Sequence, residues 1–200
     1  MKNLLYIALS FLILIQSAAA DDRRVAEELV RSKLESVISV LQKKNLEKEE
    51  KKQEIMEIIE PIFDFHLMGK LALGRKHWPD LPQEKRATFD ALFVKRLREA
   101  YLEKMVLYTD EAIEHQDAVE VRGKVHVPAH IVSKDKKIAM LYKLYKSKND
   151  WKIYDIEIEG VSIISSYRSQ FDETLATGTM DDLLYKLENP EGKKPSAASQ

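Results

Sequence analysis

Hydrophobic positions recur every three or four residues through the first half of this chain and every second residue in much of its second half. Val25, Leu29, Val30, Val37, Ile38 and Leu41 keep helical spacing, and Asn45 stands where the next helix is expected to be capped. Leu46 to Glu60 reads as a Glu/Lys-rich helix whose apolar residues, Ile55, Met56, Ile58 and Ile59, gather at its end. Pro61 stops that helix and can open another, Ile62 to about Leu73, because the N–H it lacks is unpaired at a first helical position anyway. The run from Gly74 to Pro79 breaks the pattern. From Pro82 to about Tyr108 the spacing predicts the longest helix, with Phe89, Phe93, Leu97, Tyr101 and Met105 at strict i, i+4 intervals.

The period then changes. Val119, Val121, Val125 and Val127 alternate with Glu120, Arg122, Lys124 and His126, as one strand with a wet face would. Ile138, Met140, Tyr142 and Leu144 face one way while Ala139, Leu141 and Tyr145 face the other, so the next strand is expected to be covered on both sides. Asn149-Asp150 is a turn signal leading into Trp151 to Ile158, which predicts a hairpin. Gly160 ends the sheet, and Val161, Ile164, Tyr167, Phe171 and Leu175 return to helical spacing as far as Gly178, read as a C′ glycine. Thr179 with Asp182 forms a short capping box for a last helix through Leu183, Leu184 and Leu187. Helices followed by an antiparallel sheet argue an α+β fold.

The two ends are read differently. Residues 1–20 have the form of a secretory signal: Lys2, an apolar run from Leu4 to Ile15, and Ala18-Ala19-Ala20 before Asp21. The run is too short for a bilayer core, which needs roughly 20 residues, and this disfavours an uncleaved anchor. Cleavage after Ala20 leaves residues 21–188 as one domain and 189–200, rich in Pro, Gly, Ser and Lys, as a disordered tail. No cysteine exists to form disulfides, thiolate sites or a lipoprotein anchor, and a net charge of −1 makes no case for nucleic acid.

Catalytic constellations are sparse. His126 and His130, four apart in strand-like sequence with Pro128 between them, would hold their side chains roughly 13 Å apart, too far to share a metal. His66 and His77 flank a helix end without a ligand cluster and read as packing residues. Asp155, Glu157 and Glu159 alternate on one strand face, either as a solvated sheet edge or as an acid–base pair. The Glu47–Glu54 charge run reads as a solvated helix face, and the surplus of Phe, Tyr, Met, Leu and Ile as a core rather than a cavity.

The string Trp151-Lys152-Ile153-Tyr154-Asp155, running into Glu159-Gly160-Val161-Ser162 and then Tyr167-Arg168-Ser169-Gln170-Phe171, resembles the MlaC, or toluene-tolerance, family of periplasmic phospholipid-binding proteins. Phe63-Asp64-Phe65 with Leu71-Ala72-Leu73-Gly74-Arg75, and the segment Gly178 to Leu184, agree with it. The resemblance spans roughly Phe63 to Leu187; before Glu60 it is only a matter of being helical. Leu81-Pro82-Gln83-Glu84 departs from the family's habit of opening the long helix with a capping Ser or Thr.

The resemblance implies a curved antiparallel sheet of about four strands, wrapped by N- and C-terminal helices around an apolar cavity for phospholipid acyl chains. It implies no cofactor and no covalent step. It also implies partners: an inner-membrane ABC transporter with a lipid-binding ring, and an outer-membrane lipoprotein/porin complex. On the sheet, the residues expected to line the cavity are Tyr142, Leu144, Ile153, Ile156, Ile158 and Val161. On the helices they are Phe89, Phe93, Leu97, Ile164 and Phe171, with Tyr167 and Arg168 at the rim, where Arg168 is equally open to a structural ion pair. Hopanoid cargo, a cavity enzyme using Asp155, and a scaffold with a filled core are the alternatives.

Overall fold

A computed structural model describes residues 2–106, 111–133, 136–148 and 150–190, with side chains from Asp22 onward except at 104. Tyr108 and residues 191–200 of the expected tail lie outside the described residues, as do the side chains of the expected leader. The fold is α+β, and the chain divides into two compact units, one comprising residues 1–64 with 106–162 and the other 65–105 with 163–200.

The first unit is an open, curved antiparallel sheet with two helices. Helix α1 (Lys2–Gln42) includes the stretch read as a leader. Among the described residues no helix is long and apolar enough to cross a membrane. Helix α2 (Lys48–Ile59) is capped by Glu47, whose side chain forms a capping box with Glu50, and not by Asn45. A 3-10 turn (Glu60–Ile62) carrying Pro61 follows.

The strands are β1 (Ala112–His115), β2 (Val119–Val121), β3 (Lys124–Ser133), β4 (Lys136–Ser147), β5 (Asp150–Ile158) and β6 (Val161–Ser162). Their order is β1-β3-β4-β5-β6, with β2 on the same flank of β3 as a separate hairpin arm. Among the described residues the sheet has six strands, two of them short, where about four were expected. The stretch read as one strand, Val119 to Val127, is folded at Arg122-Gly123, both with positive φ (53° and 73°), the signature of a two-residue turn between twisted strands. Gly160 does not end the sheet: Glu159 and Gly160 (φ 51° and 76°) turn the chain into β6.

The second unit contains α3 (Phe65–His77), α4 (Gln83–Leu97), a π-helical turn (Arg98–Leu102), α5 (Glu103–Met105), α6 (Ile163–Thr177) and α7 (Met180–Glu188). Gly74 leaves helical geometry inside α3 (φ 76°), where the sequence pattern breaks. The expected long helix is interrupted by the π turn after Leu97, and its entry at Pro82 has no side-chain cap. Thr179 and Asp182 form the expected capping box. Gly178 has no left-handed φ; it is needed because a Cβ there would sit 2.9 Å from the Thr174 carbonyl oxygen.

Candidate functional site

In the sheet unit, one face of the two central strands is apolar from Val125 to Ile131. Val125, Val127, Ala129 and Ile131 of β3 pair with Leu144, Tyr142, Met140 and Ile138 of β4. β5 continues this face only because of an irregularity. Leu144 pairs with Ile153 but Tyr142 pairs with Ile156, so one extra residue is accommodated between them, a β-bulge that also bends the strand. Ile153 and Ile156, three apart in sequence, thereby share a face. Without the bulge, strict alternation would send them to opposite faces.

This face is closed at one end and half-open at the other. Val125, Val127, Leu144, Trp151 and Ile153 are buried, packed with Ala26 and Val30 of α1 and with Ile62. Tyr142 is buried with them, and burial pushes its phenol well above the usual range, which keeps it neutral. Ile131, Ile138, Met140, Ile156 and Ile158 remain only half-buried. Of these five, the expected lining included Ile156 and Ile158. Ile138 and Met140 were legible from their alternation with Tyr142 and Leu144, whereas nothing in the sequence marked Ile131. Val161, also expected, lies on the short edge strand β6 and is 60% exposed.

The opposite face is polar, and β4 is not covered on both sides: Ala139 is exposed, and Leu141 and Tyr145 are half-buried. The Lys143 ammonium bonds Asp155 at 3.2 Å and also Glu157. The Ser162 hydroxyl donates to Asp155 at 2.7 Å. Burial works to lower the Lys143 pKa, but the hydrogen bonds to Glu157 and Asp155 outweigh it and hold the ammonium charged. Asp155 is therefore a buried ion-pair member and not part of a solvated edge. It points away from the apolar face, where a cavity enzyme would have needed it. His126 and His130 share this outer face, and His130 bonds Gln116 at 3.0 Å.

The helical unit contains most of the remaining expected residues. Phe89 and Phe93 are 0% exposed and stack at 6.1 Å, while Phe171 meets both edge-on at 6.0 and 6.2 Å. Tyr167 meets Phe93 at 5.2 Å. Leu97 and Ile164 are buried beside this cluster. Gly69 lets the rings approach, since a Cβ there would lie 3.1 Å from Phe89. Arg168 forms no ion pair with a described residue: its Nε and Nη2 donate to the Leu71 carbonyl at 3.0 and 2.6 Å and cap α3 just before the Gly74 break. His66 and His77 are fastened to Asp90 (2.6 Å) and Asp172 (3.0 Å).

The same architecture occurs in a phospholipid-binding protein from Ralstonia solanacearum, solved in complex with a phospholipid. The match covers 82% of this chain and 94% of that one, with a TM-score of 0.74 and 21% identity, a likeness of fold. The match to the MlaC protein family runs over residues 31–189. It takes in the bulged strand, the polar face and the aromatic cluster, and it begins well before Phe63, inside α1. This chain belongs to the MlaC family.

Proposed function

We propose that residues 21–188 act as a periplasmic phospholipid carrier, exported with cleavage after Ala20, that moves lipid between the outer and inner membranes and so helps maintain outer-membrane lipid asymmetry. The observation that carries this reading is the half-exposed strip Ile131, Ile138, Met140, Ile156 and Ile158 on a sheet face otherwise closed. Family membership supports it, as does the bound phospholipid in the Ralstonia protein of the same fold.

Exposing two chains of about 16 carbons to water costs on the order of 25 kcal/mol, at ~0.8 kcal/mol per methylene. A carrier must offset most of that with uncharged apolar contacts, and the strip offers them without a single ionisable group. We assign acyl contact to the strip, with Tyr142, Leu144 and Ile153 as the layer beneath. Phe89, Phe93, Leu97, Ile164, Tyr167 and Phe171 are assigned to the core of the helical unit, where the four rings occupy one another's faces. Binding of this kind needs no cofactor and no reaction. The proposed partners are an inner-membrane ABC transporter with a lipid-binding ring and an outer-membrane lipoprotein/porin complex.

Native mass spectrometry of the mature protein, followed by extraction of whatever is bound, tests the reading. One glycerophospholipid per chain is the expected result. A hopanoid would keep the carrier and change the cargo, while a protein that stays empty after both isolation and reloading overturns lipid carriage.

A further inference from the structure

At the far flank of the sheet unit, β1 is an edge strand, paired among the described residues with β3 alone. Gln116 N–H donates to the Pro128 carbonyl at 3.3 Å, and paired positions alternate along an antiparallel ladder. Glu114 and Ala112 therefore exchange bonds with β3, while the N–H and C=O groups of Ile113 and His115 point outward to the open edge. No described residue bonds them there. The side chains of the same two residues turn to the sheet's inner face, where they meet the C-terminal half of α1. Together with Glu35, Ile38, Ser39 and Gln42 they line a cavity of about 270 Å³. A cavity of this size lies at the lower end of small-molecule sites and has room for a long side chain.

Its chemistry is asymmetric. Ile38 and Ile113 supply apolar walls, Ser39 and Gln42 supply acceptors, and the Glu35 carboxylate stands 64% exposed, 3.7 Å from His115 Nε2. Among the described residues, the charged groups acting on His115 are the carboxylates of Glu27, Glu28 and Glu35 and the guanidinium of Arg31. Arg31 is engaged by Glu27 at 3.3 Å, and Glu27 also accepts from the Ala118 N–H at 3.0 Å. Burial, and then Arg31, depress the His115 pKa, so the imidazole adds no positive charge near neutral pH.

We infer that the β1 edge and this pocket together form a docking site for an extended segment of a partner protein that carries a lysine or arginine. A strand added beside β1 would bond the outward groups of Ile113 and His115. Its residues opposite those two would project to the same face, over the pocket, so main-chain bonds would supply affinity and one basic side chain would supply selectivity. The pocket adjoins the strip proposed for lipid, because Ile113 pairs with Ile131 on the same face, but Glu35, which would carry its selectivity, belongs to α1, and peptide binding at β1 is read independently of lipid content.

The test uses the mature protein and a fluorescein-labelled peptide of alternating threonine and valine with one central lysine, beside a control with glutamate in that position. The lysine peptide is expected to bind, the glutamate peptide to bind about tenfold more weakly, and Glu35→Lys to reverse that preference. On binding, the amide protons of Ile113 and His115 should become protected from exchange in NMR spectra. Glu35→Lys, at an exposed helix position, should leave lipid content unchanged. Equal affinity for both peptides, protection elsewhere than β1, or no binding at millimolar peptide overturns the inference.

Discussion

Two stores of large apolar side chains serve different ends in this molecule. In the helical unit, Phe89, Phe93, Tyr167 and Phe171 spend their faces on one another and are left with almost no exposure. In the sheet unit, α1 closes one end of the apolar face and leaves Met140, Ile156 and Ile158 half-exposed at the other. The side chains are comparable in size and spacing, yet the aromatic cluster is closed on itself while the strip on the sheet stays half-exposed. An abundance of apolar residues is thus evidence of a core, and exposure that persists after a unit has packed is evidence of a binding surface.

The sharpest way to break this comparison is to delete one group from each store. Phe93→Ala removes a ring held by three aromatic neighbours and is expected to cost about 3–5 kcal/mol in urea unfolding, with lipid content per folded molecule unchanged. Ile156→Asp should do the reverse: a loss of about 1–2 kcal/mol and no bound lipid in native mass spectra. If the folded Ile156→Asp protein still carried a full complement of lipid, the strip would not be the acyl contact.

Arg168 sharpens the assignment of the helical unit. With both of its bonds directed to the Leu71 carbonyl, Arg168→Ala is expected to lower stability by about 1 kcal/mol and leave loading intact. Loss of loading at unchanged stability would restore Arg168 to a place at the pocket rim.

The smallest expected effect is a pH dependence arising in the sheet unit. His115 and His126 both have lowered pKa values, with burial the first cause in each and neighbouring cations (Arg31 and Lys143) the next. The unfolded chain therefore holds these protons more tightly than the folded one. Their full stabilisation is present above the ordinary imidazole value of 6.5 and is lost as pH falls below it toward the depressed folded values. Urea midpoints should decline across that window, and His126→Asn should flatten the decline. An identical slope in the variant would show that His126 titrates normally.

The sequence by itself determined the classes of the elements, the hairpin between β4 and β5, the capping box at Thr179 and Asp182, and, through the strings around Trp151 and Tyr167, the family. Each of these is local: a period, a cap or a contiguous motif is complete within a few residues. Which face a strand residue occupies is not local. Val119 and Val125 have the same parity in sequence but stand on opposite faces, because the turn at Arg122-Gly123 pairs Val119 with His126. Ile153 and Ile156 have opposite parity but share a face, because the bulge at Tyr154 shifts the register against β4. The separation of the half-exposed strip from the buried aromatic cluster was likewise out of reach, since apolar periodicity marks Phe93 and Ile156 alike and their burial differs. Such matters depend on pairing and burial between segments distant in the chain, and only the tertiary structure decided them.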